Sequence, residues 1–582
     1  MTGTAEVPGQ AASVVPGSEL QGRSAATTEI LTVSIDLDLE PRRGESEAAA
    51  SSGLGAGAAG DAAASTSGRA GAAGLDGAQA AAAATAARLA RHPAIARAAA
   101  LLTGGQVVAI PTETVYGLAA NALSSEAVGR VYAAKNRPPD NPLIIHVSSL
   151  AMLAALYPPG WALPPIYTQL LAERWPGPLT VLLPRSPRVP DAVTCGLPTM
   201  AVRMPAHPVA LALIAACGFP LAAPSANSSG RPSPTLARHV AADLGGGAIP
   251  LILDGGPCSC GVESTVLDGL RSPPAILRPG GVTREELVGY PGLEGLQVYR
   301  KDFTDAALEA APTTPGMKYR HYSPTAPVIL LEPSGACSPA PAAATANGAS
   351  GSSGSSSSSS SSGSSGSAED LAARLRRATE ALLVEMAATR ASGRQGALAP
   401  SSGPTEAAPA AVAAPAAAAP QGAGPVAGGK VAAAGAPAGS VALDPPALEL
   451  ASQLAGGGPI GVLRTSLAGA APGLVHRRRA AAVPAAGAAA GLGDICNGGS
   501  DGQAAAAGGP KGSAVGGDDG VIEYVLGHVS RPADVAAELF AGLRALDEAG
   551  CAVILVEGVA DEGAGVAVMN RLRKAASRVV HV

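Results

Sequence analysis

Apolar residues in this chain fall into short runs separated by turn residues and by stretches with helical spacing, and the two kinds alternate. Val107 to Ile110 form one run, stopped by Pro111. Thr112, Glu113 and Thr114 then crowd polar groups at its end, where open α/β sheets commonly bind ligands. Ser124 or Ser125 can cap a helix that carries Val128, Val131 and Tyr132 on one face and ends before Pro138 and Pro139. Leu143 to Ile145 is the next predicted strand, flanked by Asn141 and closed by His146. Further along, apolar residues alternate with Arg203 in the run from Met200 to Met204, and Ala275 to Pro279 presents Arg278 at a strand end. Leu221 leads into a small-residue loop with Ser225 and Asn227. Ser233 followed by Pro234 reads as the N-cap and first residue of a helix, whose free N–H groups suit a phosphate, with Thr235 beside them.

The pattern weakens and then returns. Val328 to Leu331 reads as a strand, and an amphipathic helix follows from about Glu369 to Thr389. Ile460 to Leu463, Val521 to Leu526, a helix near Pro532 to Glu548, a strand Ala552 to Val556 and a helix near Gly565 to Ala576 complete a β-α-β-α series, which favours a small parallel sheet covered by helices. The intervening segments are rich in Ala, Gly, Pro and Ser and cannot bury a core. The chain therefore divides into a disordered tail (1–92), a first domain (93–300), a link (301–326) and a second domain (327–582). The second domain carries disordered inserts at about 334–366, 393–440 and 467–519.

Composition removes some classes of function. The net charge of −5 over 582 residues gives no global attraction to nucleic acid. Seven scattered cysteines suggest a reducing compartment rather than a disulfide framework, and the lone Cys258-x-Cys260 reads as a loop, not a zinc site. No apolar run approaches the roughly 18 residues of a membrane span. Glu19, Glu29, Asp36, Asp38 and Glu40 make the tail a poor transit peptide. By spacing alone, Lys135 and Arg137 can be a surface pair complementing a helix dipole, Arg203 can face solvent, and the Ser225 loop can be ordinary.

The motifs in their order resemble those of the YrdC-like family of threonylcarbamoyl-AMP synthases: PTETVYGLAA, KNRPPDNPLIIHV, WPGPLTVLLPR, VRMPAHP, APSANSSGRPSPT, GVESTVLD and ILRPGGVT. The link PGMKYRHYSP and the ending AGVAVMNRLRKAA are similar to the two-domain type. The resemblance implies an α/β fold: a YrdC-like open twisted sheet domain with helices, plus a smaller Rossmann-like parallel C-terminal domain interrupted by low-complexity inserts. It implies a nucleotidyltransferase that joins L-threonine, bicarbonate and ATP into threonylcarbamoyl-AMP and pyrophosphate, feeding tRNA modification next to the anticodon. Carried over by motif, Lys135, Arg137, Ser225 and Asn227 are the active tetrad. Arg137, Asn141, Thr180, Asn227, Thr235, Arg278 and Tyr322 would hold ATP, and Thr114, His146, Arg203, Ser225 and Ser264 would hold L-threonine.

Because every reactant is anionic, catalysis should rest on positioning and charge neutralisation, with Mg²⁺ arriving on ATP and no dedicated metal ligands. The link from Pro315 to Pro324 is expected to act as a lid. Contact with tRNA would be indirect or weak, a downstream threonylcarbamoyl transferase complex is a possible partner, and the cytoplasm is the expected compartment, with mitochondria or plastids as the others. Two alternatives are a noncatalytic module binding tRNA or double-stranded RNA and a carbamoyltransferase of the hydrogenase-maturation type. The first lacks a stacking platform or basic run, and the second should bring paired Cys-x-x-Cys motifs, which are missing here.

Overall fold

In a computed structural model, the structure describes residues 27–34, 84–305, 308, 313, 321–333, 368–397, 458–467, 472–473, 475–478 and 520–582. Eleven strands form the first sheet. In chain order they are β1 (Glu29–Thr32), β2 (Val108–Ile110), β3 (Gly117–Asn121), β4 (Ile144–His146), β5 (Leu179–Pro184) and β6 (Thr199–Arg203), continuing with β7 (Leu221–Ala222), β8 (Leu251–Asp254), β9 (Thr265–Asp268), β10 (Ala275–Arg278) and β11 (Gln297–Val298). Their order across the sheet is β1-β8-β2-β3-β7-β4-β6-β5-β9-β10-β11, and parallel and antiparallel pairs are mixed.

This order matters for function because it brings distant segments together. β4 lies beside β6 in parallel register, with His146 opposite Arg203, and β5 lies on the other side of β6, with Thr180 opposite Arg203. β9 then pairs with β5, and β10 with β9, so that Ser264 and Arg278 approach the same end. Side chains on both faces are buried, as expected where helices cover a sheet. The helix Pro93–Thr103 starts on a proline and turns Ile95, Ala98 and Leu102 inward. The helix Ser125–Lys135 is capped by Ser124, whose hydroxyl accepts from Ala127 N–H, and it ends at Asn136 in the left-handed conformation.

The second sheet has six strands: β12 (Val328–Glu332), β13 (Ile460–Arg464), β14 (Val475–Arg478), β15 (Val521–Val525), β16 (Val553–Glu557) and β17 (Arg578–His581). Their order is β14-β15-β13-β16-β12-β17, parallel throughout except for the antiparallel β14–β15 pair. The helix Pro532–Glu548 covers this sheet with Leu539, Phe540, Leu543 and Leu546 fully buried. Each such side chain contributes about 1.5–3 kcal/mol of burial. Its core does not stop at the domain border, because Val115 and Val262 of the first domain and Tyr322 of the link join the same apolar cluster.

Three departures from the sequence reading have physical causes. Glu29–Thr32, within the stretch expected as a tail, is an edge strand paired in parallel with β8. Its apolar alternation is too short to stand out beside low-complexity neighbours, and the sheet edge supplies the missing hydrogen bonds. Val475–Arg478 and Arg578–His581 likewise are edge strands, the former inside a stretch expected as an insert. Ser233 does not cap a helix: the helix runs Ala237–Leu244, and the Ser233 hydroxyl donates instead to the buried Glu263 carboxylate at 2.6 Å. A charge-assisted bond of this kind outweighs a neutral cap. Most of the remaining tail and inserts, and residues 315–320 of the expected lid, lie outside the described residues.

Candidate active site

The turn after β2 is built by its own hydroxyls. Thr112 donates to Val115 O at 2.6 Å and accepts from the N–H groups of Thr114 and Val115, and its oxygen lies 2.8 Å from that of Thr114. A side chain thus replaces backbone partners where the strand ends. The turn aims Thr114 at Arg203, whose Nη1 donates to the Thr114 hydroxyl at 2.8 Å while Nε donates to Gly177 O at 3.1 Å. The Arg203 Nη2 atom sits 2.6 Å from a Glu113 carboxylate oxygen. Arg203 is 3% exposed, so the alternation that would have turned it to solvent turns it inward.

Helix end and loop meet next to it. Lys135, the last residue of its helix, is fully buried and donates through Nζ to Ser225 O at 2.5 Å and to Asn227 O. It therefore ties the loop after β7 to the helix. Asn227 Nδ2 donates to Ser228 O and Arg231 O, both at 2.9 Å, which leaves its Oδ1 buried without a protein partner. Asn141 Oδ1 and Thr235 Oγ1 are in the same condition. A buried polar atom left unpaired costs about 1–3 kcal/mol, and of the three only Asn227 lines the pocket, where a polar ligand could supply that partner. Arg137 is held by Asn141 O and Pro142 O, each 3.0 Å from its guanidinium.

The third wall comes from β9 and β10. Arg278 grips Ser264 through the carbonyl at 2.9 Å and the hydroxyl at 3.2 Å, and that hydroxyl is 2.7 Å from Thr180 Oγ1. The pocket enclosed by these walls is lined by Thr114, Arg137, His146, Arg203, Ser225, Asn227, Ser264, Arg278 and Tyr322 among the expected residues. Lys135, Asn141, Thr180 and Thr235 are buried and are not part of that lining. Thr112, at the expected polar strand end, also lines it, and so do Glu263, Arg231 and His321, which the sequence reading missed. Glu263 had a signal, as the only charged residue inside the run from Gly261 to Leu267.

Burial and mutual repulsion set the electrostatics. Burial, with help from Arg203, pushes His146 down to about 3, and burial together with Arg137 brings His321 down to about 4, so both rings stay neutral near pH 7. Lys135 is lowered by burial first and the Arg137 charge second. Arg278 falls to about 10, chiefly by burial. Glu263 goes the other way: burial alone would raise it, but Arg571 and Arg278 hold it at about 2. Neutral histidines among crowded, partly desolvated guanidinium groups make a site that gains from every anion it receives.

The described residues contain no group of three or more His, Cys, Asp and Glu side chains that could hold a metal. The two carboxylates nearest the pocket, Glu113 and Glu263, already face arginines.

Fold and site together define a two-domain α/β protein with an arginine-rich pocket walled by the first sheet, with His321 and Tyr322 of the interdomain link in its lining. A Sua5/YciO/YrdC family model, described as "Telomere recombination", matches residues 100–280, and one described as "Threonylcarbamoyl-AMP synthase, C-terminal domain" matches 282–391 and 413–577. The chain is 54% identical over 245 residues to the threonylcarbamoyl-AMP synthase of Schizosaccharomyces pombe, covering 38% of this chain and 60% of that protein. It is 50% identical over 243 residues to the Bacillus subtilis threonylcarbamoyl-AMP synthase, covering 42% and 68% of the two chains. The crystal structure of Pyrococcus abyssi Sua5 complexed with L-threonine superposes with a TM-score of 0.52 at 31% identity, over 84% of this chain and 96% of that one. The chain belongs to the threonylcarbamoyl-AMP synthase family.

Proposed function

We propose that this protein is an L-threonylcarbamoyladenylate synthase, converting L-threonine, bicarbonate and ATP into threonylcarbamoyl-AMP and pyrophosphate. The observation that carries the reading is the convergence of Arg137, Arg203 and Arg278 with the Ser225–Asn227 loop on one pocket. The relatives named above are threonylcarbamoyl-AMP synthases, and the Pyrococcus abyssi neighbour holds L-threonine. In this reaction the threonine amine and bicarbonate form a carbamate with loss of water, and a carbamate oxygen then attacks the α-phosphorus while pyrophosphate leaves. Bicarbonate, the carbamate and ATP are negatively charged and threonine carries a carboxylate, so the protein's task is to neutralise and align them rather than to supply a nucleophile.

Arg203, beside Thr114 and His146, is suited to the threonine carboxylate, with Thr114, Ser225 and Ser264 as hydroxyl partners. The unpaired oxygens of Asn141, Asn227 and Thr235, together with Arg137, Arg278 and Tyr322, favour the nucleotide side. Thr180 would act by orienting Ser264. Lys135 would act from beneath, by fixing the carbonyls of Ser225 and Asn227. Mg²⁺ would enter as part of the ATP substrate, since the described residues offer no carboxylate set for it. The pocket is too narrow a feature to read an RNA surface, and we assign tRNA an indirect role through the adenylate product, passed to a threonylcarbamoyl transferase complex. No helix among the described residues is long and apolar enough to cross a membrane.

The test is pyrophosphate release from ATP by the purified chain, with L-threonine and bicarbonate present or individually omitted. Release that requires both is expected. Release indifferent to threonine would remove this reading.

A further inference from the structure

Tyr322 closes the pocket from the link in an unfavourable backbone state. Its φ is 68°, in the left-handed region that a bulky residue occupies only when its surroundings hold it there, at a cost of about 1–3 kcal/mol. Something must supply that hold, and the contacts come from the second domain. The Tyr322 ring lies against Phe540, with centroids 5.2 Å apart and planes tilted by 32°, and the guanidinium carbon of Arg571 is 5.9 Å from its centroid. Phe540 and Arg571 are both completely buried.

Arg571 also reaches through the domain border into the pocket wall. Its Nε donates to Glu263 at 3.0 Å, and its Nη1 donates to Pro279 O, next to Arg278. The other Glu263 oxygen accepts from Ser233. One side chain of the second domain thus touches the lid ring and both segments that carry Ser264 and Arg278. A second buried arginine, Arg544, crosses the same border elsewhere, donating to Asp243 at 2.7 Å, which also pairs with Arg231, and to Pro232 O.

We propose that Arg571 and Phe540 are positioning residues for nucleotide binding, acting through Tyr322 and Glu263, so that the second domain shapes the ATP side of a pocket whose lining comes from the first domain and the link. The inference rests on the function proposed above but is tested by a quantity that does not depend on turnover. ATP binding at equilibrium and pyrophosphate-release kinetics are measured on the full chain and on Arg571→Ala, Arg544→Ala, Tyr322→Ala and the Arg571→Ala/Tyr322→Ala pair.

Arg571→Ala is expected to raise the ATP Kd about tenfold or more, with the threonine KM changed by less than about threefold, as fits loss of a buried charged hydrogen bond on one side of the site. Arg544→Ala, which loosens the border at Asp243 and Pro232 and so reaches the pocket only through Arg231 and the Lys135 charge, should raise the ATP Kd clearly less than Arg571→Ala, by about threefold at most. The double variant should bind ATP more tightly than the sum of the two single effects predicts, because Arg571 acts in part through the Tyr322 ring. Should Arg571→Ala fail to fold, Arg571→Lys keeps a cation for Glu263 while losing the forked bond to Pro279 and the ring contact, and a rise of about threefold in Kd is expected. Equal effects of Arg571→Ala and Arg544→Ala, additive loss in the double variant, or wild-type Kd in Arg571→Lys would each overturn the proposal. A chain that binds ATP with this pattern yet releases no pyrophosphate would instead overturn the catalytic reading and leave this one standing.

Discussion

The two domains both bury arginines, but they spend them differently. In the second domain Arg464, at the end of β13, is 1% exposed and bonds to Glu523, Glu557 and Glu380, while Glu557 also accepts from the N–H groups of Thr465 and Ser466 and from the Thr379 hydroxyl. Around Arg464, guanidinium and carboxylates are matched within the protein. In the first domain Arg137 and Arg278 bond to carbonyls and a hydroxyl, Arg203 adds the Glu113 carboxylate to such partners, and all three face a shared pocket near oxygens that have no hydrogen-bond partner. Burial of charge does not by itself mark a site. What distinguishes the pocket is that its guanidinium groups converge on a cavity.

The sharpest way to break this contrast is to remove the cations on each side. Lys135→Ala together with Arg137→Ala should lower threonine-dependent pyrophosphate release by about 10³-fold or more, as expected for loss of oriented electrostatic stabilisation. A rate within a few-fold of the parent would place these residues among structural cations. Arg464→Ala should do the reverse: a destabilisation of about 3–5 kcal/mol in denaturant unfolding, since it strands buried carboxylates, with activity per folded molecule nearly unchanged. A kinetic defect in the folded variant would give the second domain's network a role that its geometry does not suggest.

Arg203→Ala refines the division within the pocket. It should raise the threonine KM about 10–100-fold, the worth of a charged hydrogen bond, and the ATP KM much less; equal changes would sink the carboxylate assignment.

The smallest effect concerns acid. Glu263 titrates near 2 in the folded chain against an ordinary value of 4.5. Between those pH values the unfolded state binds the extra proton, so the stabilisation is fully present above pH 4.5 and is lost as pH falls towards 2. Glu263→Gln should flatten that part of an acid-unfolding curve, and an unchanged curve would show that the Arg571 pair contributes little to it.

Some of this was legible in the chain and some was not. The helix Pro532–Glu548 was readable because proline opens it and apolar residues repeat at helical spacing over its whole length. Ser124 as a cap was readable for the same local reason. Ser233 followed by Pro234 gave an equally good local signal and misled, because its hydroxyl had a stronger partner, Glu263, thirty residues away in the chain. The edge strand Glu29–Thr32 was hidden because its stability comes from β8, more than two hundred residues further on.

The sequence by itself determined the alternation of strand and helix, the ordered motifs and so the family, since each of these depends on neighbours within a few residues. It could not decide whether Arg203 faces water or a pocket, that Lys135 serves the Ser225 loop from below, or that Arg571 of the last helix reaches Glu263 and Tyr322. Those outcomes depend on sheet order and on which buried groups find partners across long separations, and a hydrogen bond between residues 263 and 571 leaves no periodicity in the chain. Tertiary structure decided them because buried charge must be satisfied where the fold happens to bring a partner.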